Sequence, residues 1–262
     1  MYPGHWATLK PDITAVCNTN DGTALTWTEL DKASNQVAQL LASCGLGKGD
    51  HVALLMENHL NFFVIAWGVL RSGMYLTCIN RYLTPEEIAY IIQDSGSQAL
   101  FTSDALESPA PLLSLTTELA GCQHRFCHHR SDHHLPGYQD YTQAVAAHAP
   151  LPLAEQPMGD TMLYSSGTTG RPKGIKRPLS GKSITEGIPG VERANPYGIN
   201  EHSRYLSPAP LYHAAPFGFC MRTLSLGGTV YMMERFDPQA ALANIENHAI
   251  SHSQWVPTMF VR

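Results

Sequence analysis

The sequence predicts an α/β fold, with parallel-rich sheets flanked by helices. Three observations carry that prediction. Helical and strand patterns alternate from Trp27 to Ser103. The strand-like runs, such as HVALLM, are continuously apolar, as strands buried on both faces are. A complete helix-start signature, Thr84-Pro85-Glu86-Glu87, falls inside the alternation.

Taken in order, Leu30, Ala33, Val37, Leu40 and Leu41 share one helix face, and Gly45 is placed to stop that helix. GLGKGD then turns the chain into the HVALLM strand. A second helix covers Leu60 to Arg71, and Ser72-Gly73 ends it before the strand MYLTCI. Thr84 caps a third helix that runs to about Asp94: Pro85 suits the first turn and Glu87 closes the box back onto Thr84. The strand QALFTS follows. Strand, helix, strand, helix, strand requires parallel pairing with helices on the faces. Ser108 to Met158 is the least regular stretch, rich in Pro, His and Ser. A strand from Thr161 to Ser165 leads into a Gly/Thr loop. Beyond it come a strand around Arg204 to Ser207, a helix near Phe217 to Leu226, the strand GTVYMM, and a helix opened by Asp237-Pro238 with Leu242, Ile245 and His248 in register.

Composition bounds the function. Of 262 residues, 44% are hydrophobic and 15% charged, the balance of a globular chain rather than a disordered one. The net charge of −5 argues against broad attraction to nucleic acid. The longest strongly apolar run, Phe62 to Leu70, is too short for a bilayer, which needs about 20 residues. The opening MYPGHWATLK lacks the pattern of a secretory signal. Six scattered cysteines in a chain of this length read as reduced thiols, and hence as cytoplasmic.

The informative segment is Tyr164-Ser165-Ser166-Gly167-Thr168-Thr169-Gly170-Arg171-Pro172-Lys173-Gly174. Its glycines permit tight turns and close backbone approach to a ligand. Ser166 to Thr169 gather O–H and N–H donors, and Lys173 adds a point charge for a phosphate oxygen. A loop leaving a strand in an α/β protein is where nucleotide phosphates commonly sit. A flexible linker would rarely have a clean strand before such a run and Pro-Lys-Gly after it. The phosphate loop of nucleotide hydrolases, GxxxxGK[ST], is not matched: Gly181-Lys182-Ser183 would need a glycine where Lys176 stands.

These residues resemble the signature loop of the adenylate-forming enzymes, the family of acyl-CoA synthetases, luciferases and peptide-synthetase adenylation domains. LTWTEL (Leu25 to Leu30), VLRSGMYLTCIN (Val69 to Asn80), LTPEEIAYII (Leu83 to Ile92) and SPAPLYHAAPFGF (Ser207 to Phe219) extend the resemblance over nearly the whole chain, in the family's order. The resemblance implies the N-terminal part of the adenylate-forming fold and a two-step reaction. A carboxylate attacks the α-phosphorus of ATP to give acyl-AMP and pyrophosphate, and a thiol, usually that of CoA, takes the acyl group. It also implies site residues. Ser165 would lie next to Mg²⁺; Ser166, Gly167, Thr168, Thr169, Gly170 and Lys173 would hold the β- and γ-phosphates. Tyr212, His213 and Ala214 would line the acid pocket, with His213 beside the reacting carboxylate as the catalytic residue. The partners implied are a small carboxylic acid, ATP and CoA.

Leu206 to Met221 contains no Asp, Glu, Lys or Arg. A desolvated substrate ammonium would need an acid there, so a fatty or aromatic acid is favoured over an amino acid. Trp255, Val256 and Met259 are placed to add to the pocket or to pack a core. Arg171, Lys176 and Arg177 read as a solvated basic face beside the loop. Cys122, His124, Cys127, His128, His129, His133 and His134 are crowded together, but the loose CxxxxC spacing does not match a structural zinc site, and an irregular surface loop is expected.

Residues 1–160 are expected to form a first αβ subdomain, and 161–262 the phosphate loop and the start of a second. The family's later segments, including an aromatic-Gly-x-Thr-Glu motif and a C-terminal domain with a catalytic lysine, are absent from these 262 residues. The expectation is therefore an acid–CoA ligase that is catalytically incomplete as this chain. The alternative is a non-catalytic nucleotide- or acyl-binding module of the same fold.

Overall fold

The computed structural model describes residues 1–106, 119, 121–129, 135–165, 171–187 and 195–261. Two compact units interleave along the chain: residues 1–32, 58–64 and 184–262 form one, and residues 33–57 and 65–183 the other.

The first unit carries a five-stranded sheet in the order β13-β11-β12-β1-β2. Its strands are β1 (Thr14–Asn18), β2 (Ala24–Thr26), β11 (Arg204–Ser207), β12 (Thr229–Met232) and β13 (His252–Ser253). β1 pairs in parallel with β12, Val16 opposite Val230, across more than two hundred residues of sequence. The helix α1 (Pro3–Leu9) belongs to this unit, as do α6 (Ala214–Ser225) and α7 (Pro238–Asn247). α6 begins at Ala214, earlier than the expected start near Phe217. Pro216 does not prevent this, because a first-turn N–H has no intrahelical acceptor to lose. In α7, Asp237 caps the helix by accepting from the Ala240 N–H at 2.7 Å. Ile245 packs against the core and His248 stacks on Tyr231 as the expected register has them, but Leu242 is 68% exposed, and Ala241 takes the inward position beside it.

The second unit carries a six-stranded sheet in the order β7-β6-β5-β3-β4-β8. It comprises β3 (His51–Leu55), β4 (Tyr75–Cys78), β5 (Ser97–Ser103), β6 (His124–His128), β7 (Gln139–Asp140) and β8 (Asp160–Thr161), every neighbouring pair parallel. β3 is buried at all five positions, as its unbroken apolar character requires. β3 sits between β4 and β5, so the chain reverses the direction of strand addition after β4. The helices α2 (Trp27–Ser43), α3 (Leu60–Leu70), α4 (Pro85–Asp94) and α5 (Tyr141–Ala146) complete the described set. α4 has the full capping box: Thr84 accepts from the Glu87 N–H, and Glu87 accepts from the Thr84 N–H.

Two expectations are corrected here. His124–His128 is not an irregular surface loop but strand β6, paired with β5 from Ala99–His124 to Ser103–His128. Phe126 and Cys127 are fully buried, and the polar residues around them mask the strand in a one-dimensional reading. The single strand expected over Thr161 to Ser165 is divided. β8 ends at Thr161 beside β4, and β9 (Leu163–Ser165) instead pairs antiparallel with β10 (Lys173–Ile175).

Candidate active site

The two described ends of the Tyr164–Gly174 segment, the candidate phosphate-binding run, pair as the β9–β10 hairpin. Ser165 pairs with Lys173, Tyr164 with Gly174 and Leu163 with Ile175. The hairpin thus brings the backbones of Ser165 and Lys173, eight positions apart in sequence, to one rung at the base of the loop. Ser166, Gly167, Thr168, Thr169 and Gly170 lie outside the described residues. Gly174 is dictated by packing: a Cβ there would overlap Met162 Cε and come within 2.9 Å of Tyr164 Cζ.

Four cations follow the loop, and three are docked. The Arg171 guanidinium lies 5.1 Å from the Tyr90 ring centre. Lys176 Nζ sits 2.8 Å from His51 Nε2 and 4.5 Å from the Tyr75 ring centre, while His51 and Tyr75 stack at 4.7 Å. Arg177 meets Asp160 at 3.4 Å. These residues are exposed, as expected of a basic face, but each is anchored. Burial, with Lys176 adding to it, holds the His51 pKa below its ordinary value, so Nε2 is a neutral acceptor for the ammonium. Lys173, by contrast, is exposed, and no described residue pairs with its ammonium.

In the first unit, the acid-pocket candidates follow β11. His213 is the N-cap of α6, with extended backbone and no side-chain capping bond, and its ring lies 4.5 Å from that of Tyr212. Ala214 is the first helical residue and is exposed, as is His213. Desolvation lowers the His213 pKa, leaving the imidazole neutral at pH 7 with one N–H to donate. The following N–H groups of the helix are directed at the same end, which suits a carboxylate or a developing oxyanion.

A residue missed in the sequence holds this segment in place. Asn58, 6% exposed, donates from Nδ2 to the Ala209 and Met233 carbonyls at 3.1 and 2.9 Å, and accepts from the Leu211 N–H at 2.8 Å. One buried amide therefore ties the turn before Tyr212 to the end of β12. An Asn followed by a helix start reads as an ordinary cap, so nothing local marks it. Trp255 packs against the Leu206–Tyr231–Met233 cluster, whereas Val256 is 40% exposed.

The family model described as AMP-binding enzyme matches residues 4–262. The chain belongs to the AMP-binding enzyme family. A feruloyl-CoA synthase from Amycolatopsis sp is 30% identical over 261 residues, covering 99% of this chain and 48% of that protein. A 2-succinylbenzoate–CoA ligase from Bacillus pumilus is 28% identical over 242 residues, covering 90% and 45%. Among solved structures, a putative long-chain-fatty-acid CoA ligase from Rhodopseudomonas palustris superposes with a TM-score of 0.81 at 21% identity, over 97% of this chain and 62% of that chain. The o-succinylbenzoate CoA synthetase from Bacillus subtilis, in complex with its acyl-adenylate intermediate, superposes at 0.75 with 24% identity, over 99% and 62%. The fold is thus that of the N-terminal part of adenylate-forming enzymes. The chain spans about half the length of the curated relatives it matches.

No helix among the described residues is long and apolar enough to cross a membrane. All six cysteines are free thiols. Burial pushes the Cys122 and Cys127 thiols up to about 12. No three His, Cys, Asp or Glu side chains gather as a metal site among the described residues; His133 and His134 lie outside them.

Proposed function

We propose that this chain is the ATP-binding part of an acid–CoA ligase. A carboxylate displaces pyrophosphate from ATP to form acyl-AMP, and the thiol of CoA then accepts the acyl group. The observation that carries the reading is Lys173: the cations Arg171, Lys176 and Arg177 are docked on described residues, and Lys173, at the foot of the hydroxyl-rich segment, pairs with none of them.

Ser166, Gly167, Thr168, Thr169 and Gly170 supply donors to the β- and γ-phosphates, and Lys173 supplies positive charge as pyrophosphate departs. Ser165 would lie next to a Mg²⁺ bound with the triphosphate, which would neutralise further phosphate charge. His213, neutral at pH 7, donates to the substrate carboxylate, while Tyr212 and Ala214 form the adjoining wall. The uncharged run from Leu206 to Met221 favours a fatty or aromatic acid. The relatives' feruloyl and succinylbenzoate substrates, both aromatic, support the same choice. The six free thiols suit a cytoplasmic setting. Because these 262 residues span half of the relatives' length, binding without steady turnover is expected of them alone.

Calorimetric titration with non-hydrolysable acyl-adenylate analogues tests the reading. Aromatic and fatty acyl analogues should bind more tightly than aminoacyl ones by about tenfold, the cost of desolvating an unpaired ammonium. Equal affinity across the panel, or tighter aminoacyl binding, would overturn the assigned substrate class.

A further inference from the structure

Tyr164 and Arg171, which flank the candidate phosphate-binding residues 166–170 in sequence, both reach one helix, α4. On the entering side, Tyr164 donates its hydroxyl to Asp94 Oδ2 at 2.6 Å. On the leaving side, Arg171 lies over the Tyr90 ring at 5.1 Å. The two attachments are themselves joined, since Tyr90 donates to Asp94 Oδ1 at 3.3 Å. Tyr90 and Asp94 are one turn apart on α4, so they share a face. Tyr90 and Tyr164 also pack against the same core cluster, which includes Ile88, Ile92 and Leu100.

We propose that Tyr90 and Asp94 form a clamp that sets the spacing and direction of the loop's two arms, making them, with Tyr164 and Gly174, positioning residues for triphosphate binding. The proposal rests on the phosphate-binding reading above and adds to it residues that touch no substrate.

Two features are hard to explain otherwise. Asp94 is the last residue of α4, where a carboxylate faces the negative end of the helix dipole and is unfavourable. Two phenol hydroxyls directed at it offset that cost. Gly174 stands on the rung opposite Tyr164 and leaves room for the ring to lie across the hairpin toward Asp94. Burial and the bond to Asp94 both raise the Tyr164 pKa, so the phenol stays a donor over the whole working range. Loop donors must converge on phosphate oxygens within a fraction of an ångström, and a hairpin of three rungs has little stiffness of its own.

The test pairs hydrogen exchange with MgATP titration on the 262-residue chain and on Asp94→Ala, Tyr164→Phe and Gly174→Ala. Tyr164→Phe keeps the ring and removes only the hydroxyl, so loss of fold does not obscure its result. Exchange at residues 163–165 and 173–175 should rise about fivefold in Asp94→Ala and Tyr164→Phe, with the six-stranded sheet unchanged. MgATP affinity should fall by about the same factor. Restoring a carboxylate as Asp94→Glu should recover part of both effects. Unchanged exchange at the hairpin would overturn the clamp. Faster exchange with unaltered MgATP affinity would overturn its role in positioning. If the unsubstituted chain binds no MgATP, the phosphate reading fails, and the exchange data alone decide whether the clamp exists.

Discussion

The hairpin that carries Lys173 and the turn that carries His213 are held by different kinds of chemistry. Around the hairpin, exposed cations and phenols dock on rings and carboxylates: Arg171 on Tyr90, Lys176 on His51 and Tyr75, Tyr164 on Asp94. The cations are solvent-exposed, although His51 and Tyr75 beneath Lys176 are buried, and each contact is individually weak. The turn before His213 depends on one buried amide making three hydrogen bonds. That arrangement is all-or-none, since losing Asn58 strands three buried backbone groups. The hairpin is thus fastened by several separate contacts, and the turn before His213 by a single buried side chain.

Breaking the single tie of the turn should have the largest effect. Asn58→Ala is expected to cost about 3 kcal/mol of stability, read as a lowered urea midpoint, because the Ala209 and Met233 carbonyls and the Leu211 N–H lose their partner. A loss below about 0.5 kcal/mol would mean that water replaces the amide freely.

The hairpin side should respond to pH. The His51 pKa is lowered in the fold by burial and by Lys176, so below its ordinary value of 6.5 the unfolded chain binds the proton more readily. Stability should therefore fall as pH drops through that value, and part of the loss should disappear in Lys176→Met, which removes one of the two causes. Thermal melts at about pH 7.5 and 5.5 measure this, and an identical acid loss in the variant would remove Lys176 from the account. The smallest effect is expected at Leu242: exposed at 68%, it should tolerate Leu242→Gln within about 0.5 kcal/mol.

What the sequence revealed followed the range of the interactions. The Thr84–Glu87 box, the β3 strand and the bounds of α4 are short-range or single-period features, and they appear as expected. The division of residues 160–165 between two pairings depends on Gly174 and β4, far away in sequence, and local pattern could not reveal it. Strand β6 was hidden by its histidines, whose partners on β5 lie more than twenty residues earlier. Among the candidate residues, Lys173 stood out by its charge beside a hydroxyl-rich segment, and Ser165 and His213 by the resemblance to the adenylate-forming family. Asn58, Asp94 and Tyr90 did not, because they act by holding other residues, and that role exists only in three dimensions.

The central claim is that the Lys173 ammonium, which pairs with no described residue, is taken by a triphosphate. Calorimetric titration of MgATP into this chain and into Lys173→Ala tests it most directly. The account predicts about a tenfold loss of affinity in the variant, with a smaller loss for AMP, which lacks the β- and γ-phosphates, and with an unaltered melting temperature. Equal affinities of the two proteins for MgATP would contradict it.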